Sequence, residues 1–215
     1  MDREFWEFVR KETIGKDCLI ETPFGSRVML YADHTASGRS VGFIENYLCS
    51  LFPYYGNTHT DDDFTGNFST TVLEIAMNRI KELLNASEHH KLILVGNGAT
   101  GAIERLQQIL GVYLPPATRE RLGLAAQPEG TAPTRPRERQ SGEGVESKPV
   151  VFVGPYEHHS NEVTWRECFA EVVEIGLTQD GLIDLAELEA KLGRPEYTRR
   201  QKIGSFSAAS NVSGV

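Results

Sequence analysis

Two short stretches carry side chains able to do chemistry together. In the first, an apolar run over 92–96 (LILVG) leads through Asn97 and Gly98 into Ala99, Thr100, Gly101 and Ala102, where a helical pattern begins. Glycines let a backbone approach a ligand closely, and the unpaired N–H groups and dipole of a helix N-terminus favour an anion such as phosphate. Thr100 adds a hydroxyl donor. An ordinary tight strand-to-helix turn would have the same composition, so both readings stand. The stretch lacks the Lys of a Walker A loop and the third Gly of a G-x-G-x-x-G fingerprint, so a nucleotide is not the favoured ligand.

The second stretch, Tyr156-Glu157-His158-His159-Ser160-Asn161, directly follows the apolar run VVFVG over 150–154. Ligands of α/β sheets bind beyond the carboxyl ends of strands, which would put these side chains on the same rim as the 97–102 loop. A neutral imidazole there can stack on a flat ring or move a proton. The alternative is a surface loop whose histidines do nothing. A metal site from His158, His159 and Glu162 is less attractive, because adjacent side chains diverge and no third ligand is fixed at a suitable spacing. Two further stretches stay open. YADHTASGR (31–39) is a turn or a ligand-facing edge, and YYGNTHTDDDF (54–64) holds His59 beside three aspartates that suit a solvated loop or a helix start.

The elements that must position these residues alternate between short apolar runs and helical patterns, which predicts α/β architecture with a largely parallel sheet. Residues 68–84 place Phe68, Val72, Ile75, Ala76, Ile80, Leu83 and Leu84 on one helical stripe. RVMLYA (27–32), LILVG (92–96), VVFVG (150–154), EVVEIG (171–176) and the start of IGSFSAASNVSGV (203–215) have strand character. Ala102, Ile103, Leu106, Ile109 and Leu110 predict one helix, and a second should run through Val163, Trp165 and Cys168. Asp184 is a plausible N-cap for a helix burying Leu185, Leu188 and Leu192. Residues 114–149 differ from all of this, with six of the ten prolines, eleven charged residues and no aromatic. They read as a disordered Pro/Arg/Glu-rich insertion, either a solvated loop or a docking arm.

Composition bounds the rest. The 215 residues are 40% hydrophobic with 10 Phe, 7 Tyr and 2 Trp, enough to bury a core and to exclude global disorder. A net charge of -8, from 22 Lys+Arg against 30 Asp+Glu, argues against a general nucleic-acid binder. Cys18, Cys49 and Cys168 form no C-x-x-C pair and read as reduced thiols, with Cys49 a small core residue. The N-terminus lacks the apolar core of a secretory signal, and no apolar run approaches the ~20 residues of a membrane span, so a cytoplasmic or organellar-matrix protein without membrane contact is expected.

Taken in order, YADHTASG, YYGNTHT, VGNGATGAI, YEHHSNEVTW, the Gly181 turn in LTQDGLIDLAELEAKL, and SAASNVSG resemble the N-terminal half of class V aminotransferases. These are pyridoxal-phosphate enzymes of fold type I that include cysteine desulfurases and selenocysteine lyases. The resemblance implies a three-layer α/β/α large domain, incomplete at the C-terminus, formed by 1–113 and 150–215 with 114–149 as an insertion. It implies that Ala99 and Thr100 hold the phosphate of pyridoxal 5'-phosphate, that His158 stacks over the pyridine ring and assists proton transfer, and that Asn211 hydrogen-bonds the phenolic oxygen. It places His59 near the cofactor, from the opposite subunit of a homodimer, and makes an amino acid the substrate. Gly101 stands where most relatives carry an acidic or polar residue, and Thr60 where some have Arg, which leaves the substrate class open.

The family's pyridinium-pairing Asp and Schiff-base Lys follow the SNVSG strand, and none of the seven lysines (Lys11, Lys16, Lys81, Lys91, Lys148, Lys191, Lys202) lies in an S-x-H-K motif. The expectation is therefore an N-terminal portion of such an enzyme that lacks the catalytic Lys. Two rivals are a noncatalytic interaction protein that keeps the half-fold, and a metal-dependent hydrolase using His59, Asp61, His158 and His159.

Overall fold

The computed structural model describes residues 2–121 and 148–215, which form a mixed α/β chain with small sheets. The chain divides into two compact units, Met1–Ile93 and Leu94–Val215. The segment 122–147, the bulk of the expected insertion, lies outside the described residues. The leading end of that insertion forms a short helix, Pro116–Arg121.

The Met1–Ile93 unit begins with α1 (Arg3–Glu12), capped by the Asp2 carboxylate, which accepts from the Glu4 N–H at 3.0 Å. An antiparallel hairpin follows, β1 (Leu19–Thr22) against β2 (Gly25–Val28). Then come α2 (Gly42–Leu51) and the long α3 (Phe64–Leu83). Asp63 caps α3 by accepting from Gly66 N–H at 2.8 Å, so the last aspartate of the acid run is a helix start. Among the described residues, no hydrophobic side chain of this unit is buried; Phe5, Trp6, Phe8, Ile75, Leu83 and Leu84 are all exposed. Cys49 is exposed as well, which corrects its assignment to a core. Its α2 neighbours Leu48 and Leu51 line a groove against Phe68, Val72 and Leu73 of α3, and at 100° per residue Cys49 turns away from Leu48.

The Leu94–Val215 unit holds the buried core. It contains α4 (Gly98–Ile109), α5 (Pro116–Arg121), β3 (Val150–Val153), α6 (His159–Arg166), β4 (Glu171–Glu174), α7 (Leu185–Leu192) and β5 (Lys202–Ser205). The strands form one parallel sheet in the order β4-β3-β5, with Val151 opposite both Val172 and Ile203. Both connections between parallel neighbours need a crossover, which α6 and α7 supply. All four residues of the central strand are buried, the pattern of a strand covered on both faces. Side chains alternate along it: Val151 and Val153 join Val112 and Trp165, with Ile103 and Cys168 packed against them. Val150 and Phe152 join Ile175 and Tyr197, with Leu188 of α7 beside them. As expected, the Asp184 carboxylate caps α7 by accepting from Glu187 N–H at 2.9 Å.

Three expectations fail in this region. LILVG forms no strand: residues 92–96 straddle the boundary between units, and among the described residues no strand runs alongside to accept their ladder bonds. The inward face of α4 is also rotated. Leu106 and Ile109 are 44% and 59% exposed, whereas Gln107 is fully buried. Ile103 and Leu110 reach the core, and the polar residue between them faces inward because it has a partner on α6. The helix predicted through Cys168 stops at Arg166, with Glu167 as C-cap.

Candidate functional site

The geometry of the rim begins with the turn into α4. Asn97 and Gly98 take left-handed backbone, φ 65° and 62°. A Cβ on Gly98 would meet nothing within 4 Å, while one on Gly101 would sit 2.3 Å from the Gly96 carbonyl oxygen. Gly101 is therefore what allows the loop to fold back over the first turn of the helix. Asn97 makes no side-chain cap bond and the first turn has no acidic residue, so the opening N–H groups at Gly98, Ala99 and Thr100 keep their donor capacity.

The second half of the rim is the start of α6. His158 is its N-cap, and the ring nitrogen Nδ1 accepts the Ser160 N–H at 3.1 Å. A backbone N–H can only donate, so Nδ1 carries the lone pair and the neutral ring keeps its proton on Nε2. The Ser160 hydroxyl lies 3.0 Å from the same Nδ1 and 2.7 Å from the Thr100 hydroxyl. Ser160 thus joins two of the residues singled out from sequence, Thr100 and His158, although they stand on different helices. Ala99 lies in the same first turn of α4 and is exposed.

Behind the rim, a polar network fixes the loop between β3 and α6. The Glu157 carboxylate accepts from Ser207 N–H (2.8 Å), Ser207 Oγ (2.5 Å) and Asn161 Nδ2 (2.8 Å). Asn161 Oδ1 accepts from the indole N–H of fully buried Trp165 at 3.1 Å and from Ser205 Oγ at 2.5 Å. These bonds tie the end of β5 to the start of α6, so the histidine loop is not free to drift. A cavity of about 230 Å³ opens nearby, lined by Gly154, Tyr156, Glu157, Leu188, Phe206 and Ser207, but neither Thr100 nor His158 faces it. The chemistry sits beside that cavity.

The other predicted residues are placed differently. Asn211 lies in the closing turn organised by buried Ser210, whose hydroxyl accepts from Val212 and Ser213 N–H at 3.1 and 3.3 Å. Among the described residues, no hydrogen bond joins the Asn211 side chain to Thr100 or His158. His59 belongs to the Met1–Ile93 unit, with φ 68° and its N–H donated to Thr70 Oγ1 at 3.0 Å. The 31–39 stretch is a self-tied turn, in which Tyr31 donates to the Ser37 carbonyl at 2.6 Å and Arg39 lies 5.0 Å over the Tyr31 ring. Among the described residues no group of three or more His, Cys, Asp or Glu converges as metal ligands. Two lysines of the rim's unit are engaged elsewhere: Lys191 bonds Glu187 and the Glu174 carbonyl, and Lys148 lies 5.1 Å over Phe169.

Sequence reasoning placed Glu157 and Ser160 in the candidate stretch without giving either a role, and missed Ser205 and Ser207. Ser160 had a local signal, a hydroxyl residue two positions after a loop histidine that enters a helix. Burial pushes the Cys168 thiol up to about 11, with Arg119 opposing, so this cysteine is a packed thiol and not a ready thiolate.

No helix among the described residues is long and apolar enough to cross a membrane. No family model matches the chain, and no curated protein matches it. Among solved structures, the chain is similar to the cysteine desulfurase CsdA of Escherichia coli, at 22% identity with a TM-score of 0.49. The match covers 86% of this chain and 39% of that one, so the chain spans well under half the length of this solved structure.

Proposed function

We propose that the chain is the N-terminal part of a pyridoxal-phosphate-dependent enzyme of the class V aminotransferase and cysteine desulfurase kind, acting on an amino acid as a homodimer. In this reading the Leu94–Val215 unit belongs to a three-layer large domain. The observation that carries the reading is the Thr100–Ser160–His158 cluster, in which a helix-start donor set and an imidazole meet across two loops.

The donor set suits the cofactor's phosphate: uncapped N–H groups at Ala99 and Thr100, the Thr100 hydroxyl, and a turn that only Gly at 101 permits. His158 would face the flat ring, held in orientation by its cap bond and keeping its proton on Nε2. Asn211 would hydrogen-bond the phenolic oxygen, and His59 would approach from the opposite subunit. Bound pyridoxal phosphate supplies an electron sink for bond breaking at the amino-acid Cα. The lysine that carries the cofactor would not come from this chain's described lysines, so its own task is binding and orienting.

Titration of the purified protein with pyridoxal phosphate, read by absorbance, tests this directly. Weak binding that inorganic phosphate competes away, with no borohydride-reducible link to one lysine, is expected. His158→Ala should disturb the bound absorbance more than His159→Ala. Absence of binding at millimolar cofactor would overturn the reading, and a stoichiometric reducible adduct on a single lysine would overturn the division of labour. One observation favours a second reading, a noncatalytic interaction protein: Phe5, Trp6, Phe8, Phe43 and Tyr47 are left exposed on α1 and α2. A folded chain that ignores pyridoxal phosphate would support it.

A further inference from the structure

Ser160 holds a position that neither the helix it starts nor the histidine beside it requires. Its hydroxyl can donate only one hydrogen, yet it lies between the Nδ1 lone pair of His158 at 3.0 Å and the Thr100 hydroxyl at 2.7 Å. With the ring neutral, the chain of bonds runs from Thr100 O–H to Ser160 O–H to Nδ1, and the Thr100 hydrogen points inward. With a proton on Nδ1, the chain must reverse: Nδ1–H donates to Ser160, Ser160 donates to Thr100, and the Thr100 hydrogen is released. The Ser160 N–H cap bond is given up in that state, because two donors would face each other.

We propose that Ser160 is a positioning residue that couples Thr100 to His158, so that an anion accepting a hydrogen bond from the Thr100 hydroxyl favours a proton on the His158 ring. No covalent bond forms or breaks between heavy atoms; two hydroxyls rotate and the ring takes its proton from solvent. The coupling is reciprocal, since whatever favours the protonated ring also frees the Thr100 donor. It deepens the cofactor reading above and rests on it for the identity of the anion. The charged and titratable groups around His158 are few. His159 has its ring centroid 5.8 Å away, Glu157 is turned to Ser207 and Asn161, and Glu162 is paired with Arg166. On α4 the first ionisable residue after Thr100 is Glu104, one turn on, and the facing end of β5 presents the hydroxyls of Ser205 and Ser207.

The experiment is long-range ¹H–¹⁵N correlation of the imidazoles in the full chain across a pH series, with His158 assigned by its loss in His158→Gln. The neutral ring should carry its proton on Nε2. Thr100→Val should change the His158 titration curve when Ser160 is present and leave it unmoved in Ser160→Ala. Thr100→Ser, which keeps the hydroxyl, should restore the original midpoint. Inorganic phosphate should raise the midpoint, and Ser160→Ala should remove most of that rise. Equal shifts with and without Ser160, or a neutral ring protonated on Nδ1, would overturn the coupling. Phosphate that perturbs neither the Ala99 nor the Thr100 amide would overturn the anion-binding reading, while the Thr100/Ser160 double-variant cycle still decides the coupling.

Discussion

Gln107 on α4 donates from Nε2 to Thr164 Oγ1 on α6 at 3.0 Å, with Gln107 fully buried. Thr164 passes its own hydrogen to the Ser160 carbonyl at 2.7 Å, so this buried bond ends on the residue that bridges the rim. The two helices that carry Thr100 and His158 are pinned to each other below the chemistry, and that is what keeps their N-termini adjacent.

The pair supports an asymmetric prediction. Gln107 Oε1 has no hydrogen-bond partner among the described residues. Gln107→Leu removes that orphan together with the single bond, so its effect on stability should stay within about 1 kcal/mol. Thr164→Val instead strands the Gln107 amide in a dry contact and should cost about 1–3 kcal/mol. Chemical denaturation of both variants gives the comparison, and a larger loss for Gln107→Leu would contradict it.

The indole of Trp165 should be the most costly single truncation in the Leu94–Val215 unit. It is fully buried against Val151, Val153 and Val112, and its N–H is shared between Asn161 and Ser205. Trp165→Ala should lose about 3–5 kcal/mol, and Trp165→Phe clearly less. Thermal melts followed by circular dichroism would show the order, and an undiminished melting temperature for the alanine variant would refute the packing account.

Acid should weaken the end of the same sheet where Glu171, at the start of β4, meets Arg200, just ahead of β5, across the start of β3. Its hydrogen bond from Arg200, 2.5 Å long, holds the carboxyl below the usual carboxylate range, with Tyr197 adding a second bond. A carboxyl whose folded value is depressed adds stability above its unfolded value, about 4.3, and that share disappears as pH falls through the lower folded value. Arg200→Ala should therefore destabilise the protein at pH 7 and leave it less sensitive to pH between about 5 and 2. Denaturation midpoints collected across that range in both proteins provide the check.

The two glycines of the α4 turn should behave differently. Gly101→Ala drives a Cβ against the Gly96 carbonyl oxygen and must displace the loop, so phosphate-dependent shifts of the Ala99 and Thr100 amides should vanish. Gly98→Ala meets open space and costs only the strain of left-handed backbone, about 1–2 kcal/mol, so those shifts should survive. Retained shifts in Gly101→Ala would show that the loop does not need its present path.

Much of the framework was legible in the residues themselves. β3 and β4 announce themselves through their valines, β5 only through Ile203 at the head of a Ser/Gly-rich stretch, and Asp63 and Asp184 sit where a cap must be. Periodicity misled where a polar residue has a private partner: Gln107 interrupts the apolar stripe of α4, yet it faces inward because Thr164 receives it. The run 92–96 was misread because strand character is not a strand until a neighbour accepts its hydrogen bonds. At the rim, Thr100 and His158 could be named from residue type and loop position. The bridge through Ser160 spans 60 residues of sequence, and the bonds from Ser207 to Glu157 span 50, separations at which no local pattern survives.

The four residues of β3 are Val150, Val151, Phe152 and Val153, each apolar and each buried, so polarity does not tell this strand which face is which. A slip of one position would exchange Val151 and Val153 for Val150 and Phe152 while leaving every side chain greasy. The choice then falls to size. Phe152 meets Tyr197 edge to face at 5.8 Å, and on the opposite side Val151 and Val153 pack with the Trp165 indole. The substitution Phe152→Val would erase that distinction, and misthreaded sheets, more than a simple cavity, are the failure to look for in such a variant.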